Sequence, residues 1–190
     1  MHSTAKYLRT LGVWFVLKRR AMIFGRFQPL HKGHLELIKW TLSLGYDEVV
    51  LLIGMASENY TPRNPFTAGE RLEMIRIAAE TTGIGLERIV TSAVPTLETN
   101  IGCTYYVLSF VPKIEALVSR NPIISRIFKD AGYRIEKPPL FNRDIYRGTY
   151  IRELIARGDD RWKKLVPPGI PEYIEEIGGV QRIREIIQED

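Results

Sequence analysis

Hydrophobic residues in this chain gather into short unbroken runs, separated by longer stretches in which they recur every three or four positions. The first run, residues 21 to 24, ends at Gly25. After a polar loop, the apolar spacing in His34-Leu35-Glu36-Leu37-Ile38-Lys39-Trp40 predicts a helix. Residues 48 to 53 follow with Val-Val-Leu-Leu-Ile, the composition of a parallel strand buried on both faces. These three pieces make one β-α-β unit. Residues 54 to 65 read as a loop, and Thr67 with Glu70 has the spacing of a capping box, predicting a helix from there to about Thr82. Residues 88 to 92 read as a third strand, 105 to 111 as a helix and 114 to 118 as a fourth strand. Residues 122 to 131 read as a helix opened by proline after the cap residue Asn121, and 133 to 136 as a fifth strand. Beyond Tyr150 the pattern is mostly helical.

Strands alternating with helices predict an α/β fold, a doubly wound parallel sheet with helices on both faces and a helical C-terminal segment. Ligands of such sheets bind at the carboxyl ends of strands, near a switch in strand order. The loop after the first strand is the natural place to look. A length of 190 residues fits one domain. Its expected extent is 22–190, with 1–21 an N-terminal extension and Met22, directly before the first functional strand, an alternative start of translation. Within the extension the apolar run 11 to 17 precedes Lys18-Arg19-Arg20, the reverse of a signal peptide's order. It is also far shorter than the roughly 20 residues of a membrane span. A cytoplasmic location with no membrane association is expected.

Charge changes this picture only modestly. Subtracting 22 acidic from 27 basic residues leaves +5, which suits anionic ligands such as nucleotides or pyrophosphate and equally fits an ordinary charged surface. The basic residues are scattered and form no long run, so no nucleic-acid partner is expected. The single cysteine, Cys103, excludes an internal disulfide and any cysteine-based zinc site.

The chemistry concentrates in Gly25-Arg26-Phe27-Gln28-Pro29-Leu30-His31-Lys32-Gly33-His34. His31 and His34 are two of three histidines, and their spacing puts both imidazoles on one side of an incipient helical turn. A strand feeding a helix also aims backbone N–H groups and the helix dipole at a bound phosphate, and Gly33 leaves space beside it. Adenylyl transfer needs charge stabilised on the α-phosphate as pyrophosphate leaves, and two histidines with an arginine match that need. An acceptor that is itself a phosphate monoester is already anionic and needs no strong base. By themselves, two histidines three apart could equally cap a helix or bind zinc. In a second segment, Tyr146-Arg147-Gly148-Thr149-Tyr150-Ile151-Arg152, Thr149 is a candidate helix cap and Arg152, one turn inside, could reach a phosphate.

Together these segments resemble the archaeal nicotinamide-nucleotide adenylyltransferases of the His-x-Gly-His nucleotidyltransferase superfamily. The likeness also includes Asn64-Pro65-Phe66-Thr67-Ala68-Gly69-Glu70-Arg71, Asn121-Pro122 and Phe141-Asn142-Arg143. The resemblance implies a Rossmann-like fold, often assembled as a homohexamer, that converts ATP and nicotinamide mononucleotide to NAD and pyrophosphate with Mg²⁺ held mainly by the ATP phosphates. It implies His31, His34 and Arg152 as catalytic residues on the triphosphate. It further implies Gly25, Arg26, Phe27, Gln28, Gly33, Arg63, Gly148 and Thr149 at ATP and its phosphates, and Asn100, Glu98, Phe141 and Tyr146 at the acceptor. No protein metal ligand is implied.

Departures from the family pattern lie mostly on the acceptor side. Thr96 stands where an acidic residue is usual and Cys103 where a tryptophan is; Gly54-Met55-Ala56-Ser57 replaces Gly-Ser-Ala-Gln, and Arg120 and Arg147 replace small residues. Three further readings stay open: an adenylyltransferase for another phosphorylated acceptor, a non-catalytic nucleotide sensor, and a class I aminoacyl-tRNA synthetase. For the last, a Lys-Met-Ser-Lys-Ser segment is missing.

Overall fold

Aliphatic runs that are apolar at every position must be covered on both sides, and the sheet of this protein is. The computed structural model describes residues 7–10, 13–96 and 102–188. Its central sheet contains β3 (Arg20–Gly25), β4 (Glu48–Ile53), β5 (Ile89–Ala93), β6 (Ala116–Val118) and β7 (Arg134–Glu136), in the order β5-β4-β3-β6-β7. All four pairings are parallel. Successive side chains point to opposite faces, so Ala21, Ile23, Val49, Leu51 and Ile53 enter one core and Met22, Val50, Leu52 and Leu117 the other. The first core is closed by α1 (Lys32–Ser43), α2 (Ala68–Thr82), α5 (Gly148–Ala156), α6 (Ile170–Glu176) and α7 (Gly179–Gln188). The second is closed by α3 (Cys103–Leu108) and α4 (Pro122–Asp130), through Val107 and Phe128. This is the doubly wound, Rossmann-like arrangement.

The chain winds outward from β3 to β4 and β5, then crosses back to place β6 and β7 on the other side of β3. Strand order therefore reverses between β3 and β6, and the carboxyl ends of those two strands frame a crevice.

Several boundaries differ from the sequence reading. β3 starts at Arg20, because the parallel ladder sets Arg20 beside Glu48 and their side chains pair at 2.6 Å. Met22 is thus the third residue of the strand and fully buried, not a residue preceding it. The Arg19 amide donates to the Asp47 carboxylate at 2.7 Å, so the ordered domain reaches into the stretch read as an extension. Farther upstream, β1 (Tyr7–Thr10) and β2 (Val13–Val16) form an antiparallel hairpin apart from the central sheet, where no element had been expected. Helix α3 starts two residues earlier than expected and stops at Leu108, after which the Phe110 amide turns back onto the Val107 carbonyl. The Thr67 and Glu70 capping box is present as expected, with Thr67 Oγ1 accepting from the Glu70 amide at 3.2 Å and Glu70 accepting from the Thr67 amide at 2.8 Å.

One side chain locks the motif loop to the rest of the fold. Gln28 is buried, and its amide group donates to the Phe66 carbonyl at 2.8 Å and accepts from the Phe66 N–H at 3.0 Å. Both polar groups of a fully buried backbone unit are thereby satisfied. Replacing Gln28 by leucine keeps the volume but orphans both, and should lower unfolding free energy by about 3 kcal/mol in a urea titration. A loss below about 1 kcal/mol would mean that water reaches Phe66.

Candidate active site

β3 ends at Gly25, where the chain must turn sharply over its own core. Phe27 takes a left-handed conformation, φ 52°, that lets its ring fold back under Gly25 and become buried. Such a conformation costs a non-glycine residue about 1–2 kcal/mol, which burial of a phenyl ring outweighs. A Cβ on Gly25 would sit 3.2 Å from that ring. The side chains of Phe27 and Gln28, residues expected at ATP and its phosphates, are buried and shape the loop.

The loop delivers His31 to the N-cap of α1 and His34 one turn later. The His31 amide donates to His34 Nδ1 at 3.2 Å, so a neutral His34 carries its proton on Nε2. The two rings stack with centroids 3.6 Å apart. Burial pushes the His31 pKa from 6.5 down to about 4, against a smaller upward pull from its backbone hydrogen bond. Burial, and then the charge His31 would carry, hold His34 well below its ordinary value. Both rings are therefore neutral near pH 7. Gly33 lets the Tyr146 segment close over them, since a Cβ there would meet that of Tyr146 at 2.8 Å.

Positive charge comes from arginines. Arg152, nearly buried, donates to the Gln28 carbonyl at 2.7 Å, the Pro62 carbonyl at 2.9 Å and Thr149 Oγ1 at 3.4 Å. Burial, with the nearby charges of Arg26 and Arg63, lowers its pKa to about 10 despite the opposing pull of Glu153. Gly148 permits this contact, because a Cβ there would lie 2.6 Å from the Gln28 carbonyl oxygen. Thr149 is not the helix cap expected: Arg147 holds that position without a side-chain cap, and Thr149 is the second residue of α5.

Arg71 was quoted in the sequence only as part of a motif, yet among the described residues it is the largest fully buried side chain. It donates to the carbonyls of Gly54 at 2.8 Å, Arg26 at 3.0 Å, Thr67 at 3.1 Å and Met55 at 3.2 Å, joining the carboxyl ends of β3 and β4. Burial lowers its pKa to about 10, Glu70 opposing and Arg26 assisting. The signal was present in the spacing: positions 71, 74, 75 and 78 form one helical stripe, and all are buried. Arg182 was missed as well. It binds both Glu70 oxygens, at 2.8 and 2.9 Å, and the Pro65 carbonyl at 3.1 Å, and its guanidinium lies over the Tyr60 ring. Three arginines thus brace the 54–66 segment that carries Arg63.

Two clefts open at this edge. One, of about 630 Å³, is bordered by His31, His34, Arg120, Arg143, Tyr146 and Arg147. The other, of about 530 Å³, is bordered by Gly25, Arg26, Met55, Cys103, Phe128 and Arg143. Phe141 and Tyr146, expected beside Asn100 and Glu98 at the acceptor, lie in the histidine cleft, away from Cys103. Asn100 and Glu98 lie outside the described residues. The departures Ser57 and Thr96 touch each other: the Thr96 amide donates to Ser57 Oγ at 3.0 Å, and the two hydroxyls are 3.1 Å apart.

Neutral imidazoles, a helix N-terminus and an arginine cluster around one crevice can hold a polyanion and stabilise charge developing on it. The cytidylyltransferase-like family profile matches residues 22–154. The chain belongs to the cytidylyltransferase-like family. Among relatives of this cytidylyltransferase-like protein is a nicotinamide-nucleotide adenylyltransferase of Saccharolobus solfataricus, 48% identical over 171 residues, 90% of this chain and 98% of the relative. Another of that name, from Ignicoccus hospitalis, is 44% identical over 171 residues, 90% of this chain and 99% of the relative. In structure, the chain is similar to a bifunctional NMN adenylyltransferase/ADP ribose pyrophosphatase from Francisella tularensis, crystallised with AMP and a manganese ion. The TM-score is 0.72 at 19% identity, covering 91% of this chain and 53% of the other, so the chain spans about half of that protein and shares its fold. No helix among the described residues is long and apolar enough to cross a membrane.

The depressed histidine gives the family member a pH signature. Unfolded, His31 binds a proton near pH 6.5, but folded only near 4, so its stabilising share is complete above 6.5 and drains away as pH falls towards 4. The loss amounts to about 3 kcal/mol. His31→Asn removes it, and urea midpoints of this variant should decline less than those of wild type between pH 6.5 and 4. Parallel declines would show that His31 is hydrated.

Proposed function

We propose that the chain is a nicotinamide-nucleotide adenylyltransferase, joining the AMP part of ATP to nicotinamide mononucleotide to give NAD and pyrophosphate. The observation that carries this reading is the gathering of Arg26, Arg63, Arg71 and Arg152 about the loop that leads to two stacked neutral histidines, with Arg71 and Arg152 bonded to the loop carbonyls of Arg26 and Gln28. Arg26 and Arg63 lower the Arg152 pKa, and Arg26 that of Arg71. Mutually repelling cations on a braced scaffold are offset by a ligand with several negative charges, and a triphosphate meets that demand. The names of the relatives supply the acceptor.

In this reading His34 donates through Nε2 to an α-phosphate oxygen as charge develops there, and His31 lies stacked beside it. Arg26, Arg63 and Arg152 hold the phosphates, and Arg71 keeps the strand ends in place. An oxygen of the acceptor phosphate forms the new bond to the α-phosphorus, the bond to pyrophosphate breaks, and its electron pair leaves with pyrophosphate. No side chain need become a covalent intermediate or a strong base. Mg²⁺ suits this site as a partner of the nucleotide. Among the described residues no cluster of three or more His, Cys, Asp or Glu could hold a metal, so the ion would be carried on phosphate oxygens. A cytoplasmic homo-oligomer, a hexamer by resemblance, without nucleic-acid or membrane partners, completes the proposal.

Cys103 on the wall of the second cleft, with no tryptophan in its place, favours one alternative: the same chemistry on another phosphorylated acceptor. Pyrophosphate release measured with ATP, Mg²⁺ and, in turn, nicotinamide mononucleotide, nicotinic acid mononucleotide, phosphopantetheine and flavin mononucleotide separates the two. The first acceptor should yield NAD; no NAD would refute the proposal, and turnover with another would establish the alternative. His34→Ala should lower kcat with the productive acceptor by roughly 10² or more. An unchanged rate would reduce His34 to a structural role.

A further inference from the structure

Transfer between two bound nucleotides requires their phosphates to meet, so the reacting phosphorus must lie where the donor and acceptor subsites join. The two clefts share four bordering residues, Phe24, Ser119, Asn121 and Arg143. Phe24 is apolar. Asn121 Oδ1 is committed to the N-terminus of α4, accepting from the Ile123 and Ile124 amides at 3.0 and 3.2 Å. Ser119 Oγ accepts from the Asn121 amide at 3.0 Å. Arg143 alone among the four is charged, and its exposed side chain has no hydrogen-bond or ion-pair partner among the described residues.

Its backbone is nevertheless fixed. Asn142, in a left-handed conformation with φ 38°, accepts through its carbonyl from the amides of Ile145 and Tyr146, both at 3.0 Å. Arg143 therefore sits in a tight turn that leads into α5, the helix of Arg152, and its base cannot drift far from the junction. Arg147 borders only the histidine cleft and Arg26 only the second.

We propose that Arg143 is a further catalytic residue, bridging the α-phosphate of the donor and the phosphate of the acceptor at the point where they become joined. This rests on the function proposed above. Two anionic phosphates approaching to bonding distance repel each other most strongly in the transition state, and a guanidinium between them can donate to both at once. The benefit is largest while the new P–O bond forms and the bond to pyrophosphate breaks, so it belongs to kcat more than to the binding of either substrate alone.

Wild type, Arg143→Ala and Arg143→Lys, with Mg²⁺, should be compared in NAD synthesis and in its reversal by pyrophosphate. In the alanine variant kcat should fall about 10²-fold in both directions, while KM for ATP and for nicotinamide mononucleotide each change by less than about threefold. Lysine should restore part of the loss, since it keeps the charge without the planar fork. The melting temperature should not move, because the side chain has no partner to lose. A kcat within threefold of wild type, or a loss confined to one KM, overturns the assignment of Arg143. NAD made normally by wild type in the same assay shows that the failure is this residue's alone; no NAD from wild type overturns the underlying function and the bridging role with it.

Discussion

Backbone carbonyls at the carboxyl ends of β3 and β4 have run out of sheet partners, and a buried arginine takes them up. Arg71 reaches three such oxygens, those of Arg26, Gly54 and Met55, from a helix on one face of the sheet. Arg152 does the same from α5 for Gln28 and Pro62, and Arg182 from α7 for Pro65. An unpaired buried carbonyl costs roughly 1–3 kcal/mol, so each guanidinium satisfies several debts at once. The desolvation of these cations is considerable, as the lowered pKa values of Arg71 and Arg152 record. Carbonyl dipoles compensate it without cancelling the net charge. The same interaction that closes the strand ends therefore leaves a positive field over the crevice where β3 and β6 diverge.

Burial beneath that field explains the state of the histidines. Placed three apart at a helix start, with one ring receiving the other's backbone N–H, the imidazoles have little freedom except to stack. Stacked and buried, neither is protonated at neutral pH. In the proposed reaction the labour divides accordingly: arginines supply charge, and the histidine pair supplies direction. A charged histidine would duplicate what the arginines already provide, whereas a neutral one with a defined tautomer can single out one phosphate oxygen.

Much of this was legible in the sequence. Unbroken aliphatic runs at 21–24 and 48–53 could only be strands covered on both faces, and the Thr67 to Glu70 spacing and Asn121-Pro122 located two helix starts to the residue. The stacking of His31 and His34 follows from a spacing of three. What escaped was polar at the wrong place for a simple periodicity. Arg20 continues a strand because Glu48 stands opposite, which only pairing reveals. Gln28 looks like a ligand contact in a motif but answers Phe66, 38 residues away. The burial of Arg71 was legible in its helical stripe but its distant carbonyl partners were not, Arg182 acts through a carboxylate far off in the chain, and Thr149 lost the cap position because Gly148 had to open α5 for close approach to Gln28. Long-range polar pairing has no local signature, whereas apolar periodicity does.

The two faces of the sheet also carry different freedoms to vary. The arginine braces come from α2, α5 and α7, which share the larger core, so a change there disturbs packing, strand ends and charge together. Helices α3 and α4 pack on the opposite face and provide Cys103, Val107, Ile124 and Phe128 for the second cleft, with no brace depending on them. Ser57 and Thr96, hydrogen-bonded to each other at the edge of that region, can be exchanged as a pair at little cost to the rest. The departures Thr96 and Cys103 lie away from those braces, while Arg152 is itself one of them. In the proposed reaction such a scaffold keeps one transfer chemistry while its second cleft changes, because the arginine charge is anchored from the other side of the sheet.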